Sequence, residues 1–222
     1  PGQFEINLKH KKDAAGAALD GLLLKRAVKA AARANGMEAT FMAKPHHDWS
    51  GSGMHIHVSL LDKDGKNVFS NGGPEGSEVL MNAIAGCLWA MNDSTLLFAP
   101  HSNSYDRLVP EAHAPNAVCW AYENRTAAIR VPSGSPAARR IEHRVAGGDV
   151  NPYLMLTAIL GAALNGIERQ MTPPPPITGN AYALDLPLIP DTWASAIDVF
   201  ESSTLMPGIF PKELIRNMVQ TK

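Results

Sequence analysis

The chain has 222 residues, 45% of them hydrophobic and 18% charged, with a net charge of −1. This is the composition of a globular protein with enough apolar mass for a sizeable core, arranged as one large domain or two small ones. It excludes any global electrostatic attraction to nucleic acid or to an anionic membrane, so affinity for an anion must be local.

The first residues alternate, with Gln3, Glu5 and Asn7 set against Phe4, Ile6 and Leu8. That period predicts a half-buried strand with neighbours to pair with. A chain that opens inside a strand and without Met reads as a piece of a longer one. Asp13 to Asn35 predicts a helix with an apolar stripe of Leu19, Leu22, Leu23, Val28, Ala31 and Ala32, stopped at Gly36. A strand is expected over Glu38 to Lys44, followed by a loop rich in His, Asp, Ser and Gly. Met54 to Leu61 alternates again, placing His55, His57 and Ser59 on one face and Ile56, Val58 and Leu60 on the other. The Asp-Gly pair at 64 and 65 predicts a hairpin turn, with Val68 and Phe69 beginning the return.

Ser77 to Met91 has helical periodicity and a Ser N-cap. A β-rich section is expected from Asn116 to Val145. Asn151 and Pro152 form a cap and first-turn pair for a nearly all-apolar helix ending near Gln170, expected to be buried on most sides. Pro173 to Pro176 is a stiff connector. Two short helices are predicted between Trp193 and Met218, separated by Pro207 to Pro211. Helices and strands mix without βαβ alternation, which predicts an α+β domain with a curved, largely antiparallel sheet backed by helices. No internal repeat, Rossmann glycine pattern or P-loop is found.

Cys87 and Cys119 lack any C-x-x-C spacing and read as buried free thiols. The longest apolar run, 153–164, is too short to span a bilayer, and no stretch resembles a signal peptide, so the expected location is the cytoplasm.

Six of the ten arginines, and none of the ten lysines, lie between Arg107 and Arg144, in the segments NSYDRLVP, ENRTAAIR and ARRIEHR. A guanidinium binds carboxylate or phosphate through two parallel hydrogen bonds, which an ammonium cannot do, so this usage points to an anion held in fixed geometry. In an extended strand Arg140, Glu142 and Arg144 share one face, with Ile141 and Val145 on the other. A carboxylate between two arginines is either part of a structural ladder or a metal ligand inside an anion site. Glu5, His55 and Glu142 together would suit Mg²⁺ or Mn²⁺. Singly, Glu5 reads as a solvated strand residue, and His55 or His57 as hydrogen-bonded wall residues.

The blocks GQFEI, FMAKP, GSGMHIHVSL, NSYDRLVP, ENRTAAIRVP, SPAARRIEHR and NPYL resemble, in order and spacing, the catalytic domain of the glutamine synthetase family. The resemblance covers Gly2 to about Glu168; the tail beyond Pro173 is much less diagnostic. It implies that residues 1–222 form one glutamine synthetase-like catalytic domain lacking the family's N-terminal β-grasp domain. It also implies an ATP-dependent ligase using Mg²⁺ or Mn²⁺, with glutamate and either ammonia or a small amine as substrates and γ-glutamyl phosphate as intermediate. Glu5 matches a ligand of the metal that holds glutamate, and His55 and Glu142 match ligands of the metal that bridges the ATP phosphates. His57, Ser59 and Arg140 match nucleotide-contacting positions. Arg107 matches the grip on the α-carboxylate of glutamate, and Arg144 the group near its reacting end. Arg125 and Arg130 match phosphate clamps, and Ser50 and Gly51 lie where the family binds glutamate.

Two departures bear on the acceptor. Ammonia-using members carry a Glu immediately before the Ala-Pro of the flap, where this chain has His113, with Glu111 two residues earlier. Ser50 stands where Asn is frequent. Both favour a polyamine, ethanolamine or methylamine as a rival acceptor to ammonia. The segment alone is expected not to turn over, because the region before Gly2 supplies further metal-binding glutamates in the family. A ring-shaped homo-oligomer is expected for the full-length chain. A non-catalytic structural module and a nucleic-acid module are the competing classes. The retained arginines and acids argue against the first, the neutral charge and lack of aromatic platforms against the second.

Overall fold

The computed structural model describes residues 2–112 and 114–221. Helix α1, Ala14–Ala34, starts where Asp13 accepts hydrogen bonds from the Ala15 and Gly16 amides, and it ends at Asn35. Ser77 caps α2, Glu78–Trp89, through the Leu80 amide, and Asn151 caps α5, Pro152–Glu168, through the Tyr153 and Leu154 amides. In each case a short polar side chain satisfies amides that the helix leaves without partners, as the sequence predicts for Ser77 and Asn151. Two short turns of helix, α3 (Thr95–Phe98) and α4 (Ser102–Tyr105), follow α2, while α6 (Trp193–Ser202) and α7 (Lys212–Gln220) close the chain.

Among the described residues four three-residue strands form one sheet in the order β1-β4-β3-β2, where β1 is Ile56–Val58, β2 Trp120–Tyr122, β3 Ile129–Val131 and β4 Ile141–His143. The β1–β4 and β4–β3 pairs are antiparallel and β3–β2 is parallel. The register aligns two kinds of row. His57 stands opposite Glu142, which stands opposite Arg130; one residue along, Ile56, His143 and Ile129 are aligned. Because side chains alternate across a strand, these rows lie on opposite faces.

The apolar face shares one core with the helices: Ile129, Val131, Ile141 and Val145 cluster with Phe98, Leu80, Ile84, Met155 and Ile159. The ring of the fully buried His143 lies 4.6 Å from that of Phe98. Helices α2 and α5 pack most closely, and two glycines make that possible. A Cβ on Gly86 would strike the Ala162 carbonyl oxygen and come within 2.8 Å of Gly166 Cα, so any side chain would drive the helices apart. Both cysteines are free and buried, as expected. Among the described residues no helix is long and apolar enough to cross a membrane.

Several expected elements differ. Residues 3–8 and 38–44 are not strands, and Phe4 is 89% exposed. An isolated strand leaves its amides and carbonyls unpaired, and no described strand runs beside either segment to take them. Helix α1 does not bury its leucine stripe: Leu19, Leu22 and Leu23 remain exposed, while Ala18 is buried. On the packed side Gly21 comes up to Pro152 of α5, and the Lys25 Nζ donates to the Val150 carbonyl at 2.8 Å. Small residues allow that approach and leucines would not. Helix α5 buries one broad face and leaves Tyr153 and Leu164 exposed, so it is not covered on most sides. The hairpin at 62–67 forms, with Leu61 bridging Asn67, but its return ends at once.

Candidate active site

The charged row on the sheet is the centre of an ion-pair chain. Arg130 Nη1 donates to Glu142 Oε2 at 2.7 Å, and Arg144 Nη1 donates to Glu142 Oε1 at 2.5 Å. Arg130 Nη2 also donates to Glu123 Oε2 at 3.1 Å, and His55 Nδ1 lies 3.4 Å from Glu142 Oε1. The Glu142 side chain is only 3% exposed, so both its oxygens are spent on guanidiniums inside the protein. Strand pairing causes this: Arg130 faces Glu142 across β3 and β4, and Arg144 lies two residues along from Glu142 on the same face.

Burial raises the Glu142 carboxyl pKa, but the Arg144 charge and the hydrogen bonds from both arginines outweigh it, leaving it below the ordinary range. His55 is pushed down to about 4, by burial first and then by the Arg144 charge, and it is therefore neutral at physiological pH. His57 is also lowered, chiefly by burial, and its Nδ1 accepts from Arg140 Nε at 3.0 Å. A neutral imidazole and an ionised carboxylate in contact are two suitable donors for Mg²⁺ or, better, Mn²⁺. Among the described residues no group of three or more His, Cys, Asp or Glu side chains is assembled to hold an ion. His55 and Glu142 would fit two positions of a metal shell, although both Glu142 oxygens already accept from guanidiniums.

Arg107 is 3% exposed and reaches the backbone just after β4, with Nη1 donating to the Val145 carbonyl at 2.7 Å. Glycine makes room for it. A Cβ on Gly51 would lie 2.8 Å from Arg107 Cγ, and one on Gly53 would lie 2.7 Å from Arg107 Nη2 and 3.4 Å from His55 Nε2. Burial pulls the Arg107 pKa down to about 10, which leaves it cationic at neutral pH. Gln3 Nε2 donates to the Gly51 carbonyl at 2.7 Å, so the N-terminal segment touches this loop even without forming a strand.

The structure therefore joins His55, Arg130, Glu142 and Arg144 directly, with His57 and Arg140 paired beside them and Arg107 and Gly51 against the same strand and loop. Ser59 Oγ donates to the Arg139 carbonyl at 3.1 Å. Glu5, Ser50 and Arg125 are exposed and take no part in the ion-pair chain. Glu111 is exposed with a left-handed φ of 64°, and His113 lies outside the described residues. Sequence reasoning missed Glu123, whose role depends on a left-handed φ of 52° that no residue pattern announces.

An acid shared between two arginines, next to a neutral histidine on a buried sheet face, is a charge concentration that a purely structural core does not need and that functional sites often show. The family model described as "Glutamine synthetase, catalytic domain" matches residues 1–222, and the chain belongs to that family. It is 41% identical to the γ-glutamylethanolamide synthetase of Streptomyces coelicolor over 226 aligned positions, which cover 100% of this chain and 48% of that protein. It is 43% identical to the γ-glutamylputrescine synthetase of Escherichia coli, over 81% of this chain and 38% of that one. A glutamine synthetase of Methanocaldococcus jannaschii is 34% identical over 100% of this chain and 51% of its own length. A solved GmaS–ADP complex superposes with a TM-score of 0.85 at 30% identity, covering 95% of this chain and 50% of that one. The chain thus spans about half the length of the relatives it matches.

Proposed function

We propose that the protein carrying this chain is an ATP-dependent glutamate–amine ligase that works through γ-glutamyl phosphate. The observation that carries the reading is the buried set Arg130–Glu142–Arg144–His55 in a member of this family. A glutamate γ-carboxylate oxygen attacks the ATP γ-phosphorus, and the bond to the ADP oxygen breaks. The amine nitrogen then attacks the γ-carbonyl carbon and phosphate leaves. Both steps bring anions together, so fixed guanidiniums lower the barrier by neutralising charge without reorganisation.

In this reading Arg130, Arg125 and Arg144 face the transferred phosphoryl group, and Arg107 holds the glutamate α-carboxylate beside Ser50 and Gly51. His57, Ser59 and Arg140 line the nucleotide. His55 and Glu142 would hold a divalent ion, with Glu5 at a second one, and such ions would supply positive charge to the phosphate groups. Glu111 and His113 are the candidates to take the acceptor's proton. The exposure of Phe4, Leu19, Leu22 and Leu23 supports burial of these residues in a ring of full-length subunits. With two metal donors assembled, residues 1–222 alone should release no phosphate from ATP.

The finer proposal is that the acceptor is an organic amine rather than ammonia. His113 in place of the flap Glu supports it, as do the names of the relatives at 41% and 43% identity. Phosphate release by the full-length protein, assayed with ethanolamine, putrescine, isopropylamine and ammonia, tests it. Activity with an organic amine well above that with ammonia is expected, and a preference for ammonia refutes the finer reading. In the same assay Arg130→Ala should lower turnover by about 10²- to 10³-fold, the usual loss for one preorganised charge donor. Unchanged turnover removes Arg130 from the clamp.

A further inference from the structure

The Glu142 carboxylate is asked to do two things at once. It is the partner of Arg130 and Arg144, and in the proposed function it also serves a divalent ion beside His55. If Glu142 alone fixed Arg130, then any turn of that carboxylate toward an ion would release the clamp. Arg130 has a second anchor, however, in Glu123, which accepts from its other terminal nitrogen.

Glu123 sits just after β2 in a left-handed conformation, φ 52°. A residue with a Cβ is disfavoured there and Gly is not, so a Glu at this position persists where its surroundings over-determine it. Three interactions do so. The Glu123 amide donates to the Val131 carbonyl at 3.2 Å, the Ser133 amide donates to Glu123 Oε1, and Arg130 Nη2 donates to Oε2 at 3.1 Å. The next residues lock the turn further: Asn124 Oδ1 accepts from the Thr126 amide and hydroxyl, and Asn124 Nδ2 donates to the Gly179 carbonyl at 2.6 Å. The Glu123 side chain is 49% exposed while that of Glu142 is 3% exposed. Glu123 thus reaches the arginine from the rim, without itself belonging to the packed interior.

We infer that Glu123 is a positioning residue for Arg130, one that keeps the guanidinium in place when Glu142 turns toward a bound cation. The inference rests on the proposed ligase reading of the site. It assigns Glu123 no contact with substrate; its effect passes through Arg130.

The test uses Glu123→Gly and Glu123→Gln in the full-length protein, each with and without Arg130→Ala. Glycine suits the backbone, so Glu123→Gly should melt no lower than the wild type. Turnover should fall about 10- to 100-fold, as is usual when an outer partner of a site residue is removed, with the KM for glutamate nearly unchanged. Glu123→Gln keeps an acceptor for Ser133 and should fall in between. In the Arg130→Ala background neither substitution should cost anything further, since a residue acting only through another shows full coupling in a double-mutant cycle. Equal losses in both backgrounds overturn the inference.

Mn²⁺ titration followed by electron paramagnetic resonance gives a reading that needs no turnover. Glu123→Gly should weaken Mn²⁺ binding, because Arg130 then leans wholly on Glu142, and Arg130→Ala should abolish that difference. Equal Mn²⁺ binding by the wild type and Glu123→Gly overturns the inference. If the wild type lacks ligase activity, the functional proposal fails while the Mn²⁺ cycle still decides the role of Glu123.

Discussion

The two faces of strand β4 and of the two residues that follow it are both buried, by opposite means. Ile141, His143 and Val145 are each 1% exposed or less and share a core with the helices, where burial itself is favourable. Glu142 and Arg144, at 3% and 6%, are buried on the other face, where burial is costly unless each charge meets its opposite in good geometry. The comparison shows that burial alone does not mark a core. A buried charged face of this kind is weak evidence for stability and stronger evidence for a site whose charges must stand ready before the ligand arrives.

The sharpest way to break the comparison is Glu142→Leu. If the charged face depends on pairing, two guanidiniums lose their shared buried partner and stability falls by about 3 to 5 kcal/mol, read from denaturant unfolding. A gain in stability would mean that this face tolerates apolar packing as the other does. Gly86→Ala tests the helical side. The α2–α5 crossing has no room for a methyl, so overpacking should cost about 1 to 3 kcal/mol. A neutral result would show that the helices slide apart freely.

Acid gives the smallest effect in the mild range and bears on both faces. His55 is held down to about 4 and His143 to about 3, in both cases chiefly by burial. Below the ordinary histidine pKa near 6.5 the unfolded chain binds protons that the folded chain refuses, so stability rises with pH between those values and falls on acidification. Unfolding midpoints at pH 5.5 should therefore lie below those at pH 7.5, and His143→Leu should flatten the dependence. Glu142 carries a lowered carboxyl pKa and adds its own loss at still lower pH. An acid-insensitive midpoint would show that the imidazoles are not excluded from protonation.

Much of the fold could be read locally. Ser77 and Asn151 announced two helices because a cap is a contact between a side chain and amides two or three residues away. The row Arg140–Glu142–Arg144 was legible because β alternation is a local rule. The Leu19–Leu22–Leu23 stripe misled, since a helix shows where its apolar residues lie but not which side will have a neighbour. Residues 3–8 misled in the same way, because alternation describes a strand only if another strand is there to bond it. Glu123 carried no readable signal, since its importance lies in a backbone angle and in an arginine seven residues on.

The sequence by itself determined the helices with their caps, the arginine-rich composition of one segment and the family to which that segment belongs, because each of these is written in neighbouring residues. Only the tertiary structure decided that Glu142 would be shared by Arg130 and Arg144 within reach of His55, and that Glu123 would hold Arg130 by its other terminal nitrogen. Strand register and helix crossing set those distances, and both depend on contacts between residues far apart in the chain.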